Sequence, residues 1–447
     1  MAGATKSSNR IELAIKNIWE NTSAFLTSVF LLALFLRLGV MVATHSYHLG
    51  NSIDDYFGYG TEMGRVARSL AQGQGFSSPM PLPTGPTAIV GPIYPLILAL
   101  IFKIFGIYTV SSAAVILGLQ CVVSSLTCFF IYLCGRDSVG EAAGKLAALV
   151  WAWFPLNILF SSTRIWETST SGMLAAALCW CMLSLFRSPS IWRATKIGVL
   201  LAISALINTS LVVLAVPFVV AAILKYRTRS LLPIVAAGIS FGMLISPWLL
   251  RNHHQFGKFM LRSNFPLEFR VGNNELTRGQ KVIDMHPARS VALNQQWHDL
   301  GEKRFMEEQS ALNARYVSAH RRDFAFSVVN RIVNYWTGAW IAPAPDYPNL
   351  LGTIAGISLL SLLGFAGVYK MISGGNSVGF IYLGCFALYP VVYYLTTSQP
   401  RFYHTIAPLL VISGSFCLVD MVKKLRSLRA DRDNSKSTFT KRVSAVV

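Results

Sequence analysis

The chain has 447 residues, of which 53% are hydrophobic and only 13% charged, and its formal net charge is +19. Its mean hydropathy is +0.48, and apolar runs recur at about 20 residues, the length that crosses a hydrocarbon core of about 30 Å. We therefore predict an all-α polytopic membrane protein and exclude a soluble one. The basic residues are scattered over connections and a tail, which indicates bilayer orientation and contact with anionic lipid, not nucleic-acid binding.

Ten apolar segments are candidate membrane spans. We predict them at 23–44, 110–133, 142–162, 168–186, 196–208, 209–226, 231–250, 350–370, 378–396 and 405–422. The chain then divides into a cytoplasmic N-terminus, a transmembrane module with an outer connection, a second outer connection, a last group of spans and a basic cytoplasmic tail. These parts are 1–22, 23–250 (with the outer connection 45–109), 251–349, 350–422 and 423–447.

Two segments need a separate decision. If the apolar segment 92–107 crossed, every short Lys/Arg-rich connection would lie outside, against the positive-inside bias. We therefore predict a re-entrant or interfacial helix there, with both chain ends cytoplasmic. The stretch 196–226 is either one long helix or two short ones that turn at Asn208, and two keep the later orientation correct.

The candidate chemical residues all fall on the outer side of this topology. The first outer connection contains Asp54, Asp55, Tyr59, Glu62 and Arg65. On a helix running to residue 72, Asp55, Tyr59 and Glu62 would share one face, provided Gly58 and Gly60 do not break it. The alternative is structural, with an Asp as helix N-cap and Glu62 as an ion-pair partner of Arg65.

The short link 163–167 contains a second pair of charged residues. Arg164 and Glu167 flank Trp166 just before the next span. Glu167 could simply stabilise the positive end of that helix, and Trp166 could be an interfacial anchor. Two opposite charges in so short a link also suit the binding of a polar substrate.

Cations follow in the later outer connections. Arg262 and Arg270 could neutralise a lipid phosphate, and Arg401, Tyr403 and His404 form a compact donor set for a phosphate or a sugar. A solvated basic loop and a snorkelling Arg are the alternatives. Arg37, inside the first span, is expected to face the bundle and to pair internally, without a chemical role. The seven cysteines have no metal-ligand spacing, so neither a zinc site nor a disulfide framework is indicated.

Four segments resemble the GT-C class of polytopic glycosyltransferases, specifically the bacterial proteins similar to glycosyltransferase family 39. Protein O-mannosyltransferases and lipid A aminoarabinose transferases are related to them. The segments are 62–79, 84–95, 166–168 and 401–404. Phosphate-binding loops, nucleophile elbows, His-Glu-x-x-His and dinucleotide motifs are absent from the sequence.

The resemblance implies an enzyme of a bacterial inner membrane with its active site on the extracytoplasmic face. Such an enzyme transfers a sugar from a polyprenyl-phosphate donor to a glycan, lipid or protein acceptor, usually with inversion. It implies Glu62, or else Asp55, as the base. Glu167 matches a second acidic position that would orient the acceptor or hold a divalent metal ion. In the class the first acidic motif is often a contiguous Asp-Glu pair, whereas here Asp54 and Asp55 are separated from Glu62.

The rival interpretation is a transporter or flippase for a lipid or a lipid-linked glycan, without transferase activity. Such a protein is expected to show internal repeats and charges near the bilayer midplane. The sequence shows acidic residues at one face only, which favours the transferase.

Overall fold

The computed structural model describes residues 19–49, 58–277, 281–339 and 351–444, together with residues 17 and 341, and gives side chains up to residue 429. Within these ranges the chain is almost entirely helical, and its β-structure is one isolated bridge between Ser77 and Pro86. The all-α fold expected from the apolar runs is confirmed. Asp54 and Asp55 lie outside the described residues.

The first half of the chain contains eight α-helices in its described part before a 3₁₀ turn at Thr209–Leu214. They are α1 (Thr22–Ala43), α2 (Glu62–Ala71), α3 (Ile93–Phe105), α4 (Val110–Val139), α5 (Glu141–Trp153), α6 (Pro155–Thr163), α7 (Thr168–Arg187) and α8 (Ile191–Ile207).

The second half alternates spans with helices that are too polar or too short to cross. They are α9 (Ala215–Tyr226), α10 (Leu231–Phe256), α11 (Phe265–Gly272), α12 (Val291–Ala319), α13 (Arg321–Thr337), α14 (Leu351–Ser373), α15 (Val378–Leu388), α16 (Val391–Leu395) and α17 (Pro400–Ser444). A 3₁₀ turn, Arg227–Ser230, separates α9 from α10.

Seven segments of the described part are long and apolar enough to cross a membrane, or eight if the pair α5–α6, bent by 50°, is one span. The sequence predicted about ten, and the difference has a geometric reason. Thr209–Phe256 counts once although its 48 residues would extend about 72 Å at 1.5 Å per residue, twice the hydrocarbon thickness. Helix α8 has 17 residues and is just too short to be counted as a span. The chain is a multi-pass integral membrane protein.

Both uncertain segments are resolved. Helix α3 has 13 residues, which extend about 20 Å and cannot cross a bilayer, so the expectation for 92–107 is confirmed in this respect. The chain also turns at Asn208, as expected, because this residue is extended between α8 and the 3₁₀ turn. Its side chain accepts a bond from Ser210 N and donates to Ser171 Oγ at 3.1 Å, which holds the turn inside the protein.

Arg37 faces the bundle, as expected. It is fully buried in α1 and donates to Ser124 Oγ at 2.9 Å and to the carbonyl oxygens of Trp151 and Ala152. These carbonyls belong to the last turn of α5, where the bend before Pro155 leaves them without helical donors. The buried charge therefore stabilises the bend between α5 and α6.

Two long polar connections, 58–109 and 251–339, pack on each other at one end of the bundle. Glu302 of α12 is buried and accepts hydrogen bonds from Ala88 N, Thr87 Oγ1 and Ser263 Oγ. Arg251, at the end of α10, donates to the carbonyl oxygens of Phe76 and Thr87. Because Glu302 and Arg251 both form hydrogen bonds between the two connections, the connections form one joined layer over the spans.

Candidate active site

The described residues place two carboxylates, a lysine and a histidine together in this layer. His286 Nε2 lies 3.4 Å from Glu62 Oε1, and Lys281 Nζ lies 4.0 Å from Glu268 Oε2. Glu62 begins α2, and Glu268 lies on α11. The segment with Lys281 and His286 returns to α11 because Val282 N donates to the Val271 carbonyl at 3.0 Å.

A sharp turn before α2 sets the direction of Glu62. Gly60 and Thr61 have φ of 79° and 51°, and a Cβ at Gly60 would lie 2.6 Å from the Ile165 carbonyl oxygen. Glycine is required here because it alone combines positive φ with this close approach. The turn places Glu62 beside the 163–167 link, and the Thr61 hydroxyl donates to its carboxylate.

Both carboxylates remain charged although they are poorly accessible. Burial raises the pKa of Glu62, but His286, the Thr61 hydroxyl and Lys281 lower it by more, so the net shift is downward. For Glu268 burial also raises the pKa, and Lys281, His286 and Arg401 together lower it below its ordinary value. At neutral pH the pair can therefore accept protons or hydrogen bonds.

His286 orients Glu62. Its Nδ1 accepts a bond from Ala288 N at 3.1 Å, so the ring proton is on Nε2, which faces Glu62. Burial lowers the pKa of His286 below 6.5, so that the ring is neutral at neutral pH. With both nitrogens engaged, His286 is a positioning residue and Glu62 is the group left to react.

The low pKa of His286 predicts a measurable pH effect on stability. The unfolded chain takes up a proton on this ring as pH falls below about 6.5, while the folded chain does not, so folding becomes less favourable. We expect the unfolding temperature to fall between about pH 7.5 and about pH 5.5, and to fall less in His286→Gln. Equal falls in both proteins would contradict this protonation state.

Arg401 connects the cluster to the 163–167 link. Its guanidinium lies 4.6 Å from the centre of the Trp166 ring and 4.7 Å from that of Phe402. Its charge also acts on Glu268, while its buried Nε has no hydrogen-bond partner among the described residues. A stacked, incompletely satisfied guanidinium is well suited to bind an anionic oxygen.

Glu167 follows Trp166 in the chain. It immediately precedes α7, does not cap it, and its Oε2 is buried without a hydrogen-bond partner in the described part of the chain. Gln120 fixes the link, since it accepts bonds from Tyr94 Oη and Trp166 N and donates to the Arg164 carbonyl. An unsatisfied carboxylate oxygen on a fixed link can accept a hydroxyl donor.

Several expected site residues have structural roles instead. Helix α2 begins at Glu62, after the non-helical residues 58–61, so Tyr59 does not share its face; the reason is the positive φ of Gly60 and Thr61. Tyr59 is buried against Phe102 and Tyr108 and donates to the Thr109 carbonyl at 2.8 Å.

The proposed donor set at 401–404 does not converge. Helix α17 begins at Pro400, so successive side chains point about 100° apart. Tyr403 lies between α13 and α14 and bonds with Ser361 at 3.0 Å. His404 is buried and contacts the rings of Trp151 and Phe160 at an angle, and neither of its ring nitrogens has a hydrogen-bond partner among the described residues.

The remaining arginines differ in their distance from the cluster. Arg65 is buried one turn after Glu62, and its charge acts on His286. Arg164 is exposed at the end of α6. Arg262 Nε donates to the Ile89 carbonyl, and Arg270 forms a 3.1 Å ion pair with Glu275 on the outside. Of these, Arg65 acts on His286 of the cluster, while Arg270 is paired with Glu275.

The sequence analysis overlooked Glu268, Lys281 and His286. The stretch around Glu268 was considered for its cations, although alternating signs at 268 and 270 are visible there. His286 and Lys281 follow no motif, and only the fold of the 281–286 segment brings them to Glu62.

The described residues do not by themselves fit a divalent metal ion. No group of three His, Cys, Asp or Glu side chains in these ranges has ligand geometry. Lys281 and His286 already face the two carboxylates. A metal site at Glu62 would need ligands from Asp54 or Asp55, outside the described residues.

Comparisons with known proteins establish the fold class. Residues 89–250 match a family model described as dolichyl-phosphate-mannose-protein mannosyltransferase. The archaeal oligosaccharyltransferase AglB from Archaeoglobus fulgidus, solved with an inhibitory peptide and a dolichol-phosphate, is 16% identical with a TM-score of 0.55, and the match covers 92% of this chain and 51% of that one. An A. fulgidus oligosaccharyltransferase tethered with an acceptor peptide is 13% identical with a TM-score of 0.57, over 92% and 51%.

The chain has a GT-C glycosyltransferase-like fold and spans about half the length of those oligosaccharyltransferase chains. ArnT from Cupriavidus metallidurans bound to undecaprenyl phosphate also matches, with 10% identity, a TM-score of 0.41, and coverage of 87% of this chain and 76% of that one. No curated protein sequence matches this chain significantly.

Proposed function

We propose that this protein is a membrane glycosyltransferase that moves a sugar from a polyprenyl-phosphate-linked donor to an acceptor, with inversion. The observation that carries the proposal is the meeting of Glu62, Glu268 and Arg401, three groups from distant parts of the chain, in one poorly accessible cluster on a GT-C-like fold. Complementary charges in a partly buried site suit a reaction in which a proton and an anionic leaving group separate.

The donor class is supported by a solved relative of the same fold. AglB was solved with a dolichol-phosphate. In this chain a lipid phosphate would approach Arg401, where the stacked guanidinium can donate two parallel bonds to its oxygens. Lys281 is the second cation close to the carboxylates.

In the proposed reaction an acceptor hydroxyl attacks the anomeric carbon of the donor sugar. The new C–O bond forms as the bond to the phosphate oxygen breaks, and the hydroxyl proton passes to the Glu62 carboxylate. Asp55 is the alternative base. Arg401 and Lys281 stabilise the charge that grows on the lipid phosphate, while Glu167 accepts a hydrogen bond that orients the acceptor. None of these steps uses a metal ion.

We also propose that the site faces away from the cytoplasm of a bacterial inner membrane. The connections around 136, 187–196 and 227–230 and the tail after residue 422 are rich in Lys and Arg, and the cluster lies in other connections. The positive-inside bias then puts the cluster on the extracytoplasmic side.

The proposal is tested by supplying radiolabelled polyprenyl-phosphate sugars to membranes with and without the protein and identifying the labelled product. Arg401→Gln is expected to reduce transfer by about 10²–10³-fold. Arg401→Lys should recover only part of it, because a lysine cannot replace the planar fork over Trp166. Label that crosses the membrane without forming a new glycosidic bond would instead identify a transporter.

A further inference from the structure

A cavity lies in the layer formed by the long connections. It has a volume of about 210 Å³ and lies between the end of α10, residues 258–266 and α12. One part of its wall is apolar, with Phe256, Met260 and Met306. The other part contains three cations, Lys258, Arg262 and Lys303. A cavity with these two parts fits an anionic amphiphile.

The cations are only partly neutralised. Glu307 also lines the cavity and pairs with Lys258 at 2.9 Å, and the charge of Lys303 acts on the same carboxylate from a longer distance. Arg262 uses Nε on the Ile89 carbonyl, which leaves its terminal amino groups for a ligand. Glu302 also lines the cavity, but its carboxylate is occupied by Thr87, Ala88 and Ser263. The remaining positive charge favours a phosphate.

The cavity opens where the bilayer surface is expected. The last span segment before it ends at Phe256. Leu250, on that segment, is 60% exposed, and Phe259 and Phe265, beside the cavity, are 66% and 49% exposed. Exposed aromatic rings at the end of a span are typical of the headgroup level. A soluble anion would gain nothing from this apolar surround, whereas a lipid would use both parts.

The cavity is distinct from the acidic cluster. The side chains that lower the pKa of Glu62 or Glu268 include His286, Lys281 and Arg401, and neither Lys258 nor Lys303 is among them. It is also close to that cluster, because Phe265 lines the cavity and starts α11, which carries Glu268 one turn later.

We infer that this cavity binds the phosphate of a glycerophospholipid headgroup, a second lipid besides the sugar donor. Lys303, Arg262 and Lys258 hold the phosphate, with the contribution of Lys258 reduced by its pair with Glu307, and the acyl chains lie along the exposed apolar face of α10. This inference concerns binding and holds whether or not the protein is a transferase.

Native mass spectrometry of the purified full chain in mixed micelles tests the inference with phosphatidylglycerol as the probe. The double variant Lys258→Ala/Lys303→Ala should retain about tenfold less of this lipid. Each lysine near a lipid surface contributes about 1 kcal/mol to binding, and the existing pair with Glu307 reduces the total. Ser310→Trp, which fills the cavity without changing charge, should give a similar loss. Arg304→Ala, an exposed cation of the same helix outside the cavity, should retain the lipid normally.

Three results would overturn the inference. Equal losses in Arg304→Ala and the double variant would indicate general surface attraction, and full retention in Ser310→Trp would place the lipid elsewhere. Displacement by glycerol phosphate at the concentration at which phosphatidylglycerol itself competes would indicate a soluble phosphate. Displacement by polyprenyl phosphate in preference to phosphatidylglycerol would assign the cavity to the donor.

Discussion

Replacing Glu62 by glutamine is expected to reduce sugar transfer by about 10²–10⁴-fold, the usual contribution of a general base. The amide keeps the size of the side chain and can still accept a bond from Thr61 or His286, but it cannot take a proton from an acceptor. The measurement is the initial rate of transfer from a labelled polyprenyl-phosphate sugar in membranes, normalised to the amount of folded protein.

Glu308→Gln is the matched control for this experiment. Glu308 is an exposed carboxylate of α12 that accepts a bond from Gln296 at 2.7 Å, away from the cluster. Glu308→Gln removes the same negative charge from the same layer. Because this charge lies away from the cluster, the rate of transfer should stay near normal. If Glu62→Gln also transferred at a near-normal rate, Glu62 would not be the base, and Asp55 would become the first candidate.

Replacing Arg331 by methionine is expected to lower the free energy of unfolding by about 3 kcal/mol, because each buried acceptor left without a donor costs about 1–3 kcal/mol. Arg331 of α13 is fully buried and donates to Asn273 Oδ1 at 3.0 Å and to the carbonyl oxygens of Tyr394, Leu395 and Gly272. Burial lowers its pKa to about 10, so it remains charged at neutral pH. Methionine fills similar space but leaves four acceptors without their donor.

The Arg331→Met variant should also lose transferase activity, because Arg331 joins the helix that carries Glu268 to the segment that leads to Arg401. Two residues on the same face of α13 hold that segment further along, since Asn334 donates to Ser398 and Tyr335 to the Phe402 carbonyl. Arg321→Met, an exposed position of the same helix, is the control and should change stability by less than about 0.5 kcal/mol. Thermal unfolding in detergent measures the stability of both variants. An Arg331→Met variant as stable as the original protein would contradict this role of Arg331.

Local physics was enough to predict part of this structure. The short α3 follows from positive-inside counting, the turn at Asn208 from the same argument, and the inward direction of Arg37 from the cost of a charge in lipid. Each of these features depends only on one segment and its position in the bilayer, so it can be predicted from the sequence.

The site was less predictable because it depends on contacts between distant segments. Tyr59 is close to Glu62 in sequence, but the positive φ of Gly60 and Thr61 separates the two. Tyr403 and His404 follow Arg401 directly, but the start of α17 at Pro400 turns them into the bundle. His286 reaches Glu62 through the return of a whole segment against α11, for which no local pattern exists.

The three hydrogen bonds of Glu302 also impose an order on biogenesis. Thr87 and its acceptor are separated by 215 residues, so the ribosome completes six or more apolar helices before Glu302 exists. Until then the amide of Ala88 and the hydroxyl of Thr87 lack their acceptor in the folded protein, although Arg251 and Arg262 can already bind carbonyl oxygens of the first connection. The two connections can therefore be joined through Glu302 only after the spans up to α10 have been made, and a chain released before residue 302 would keep those spans without this junction.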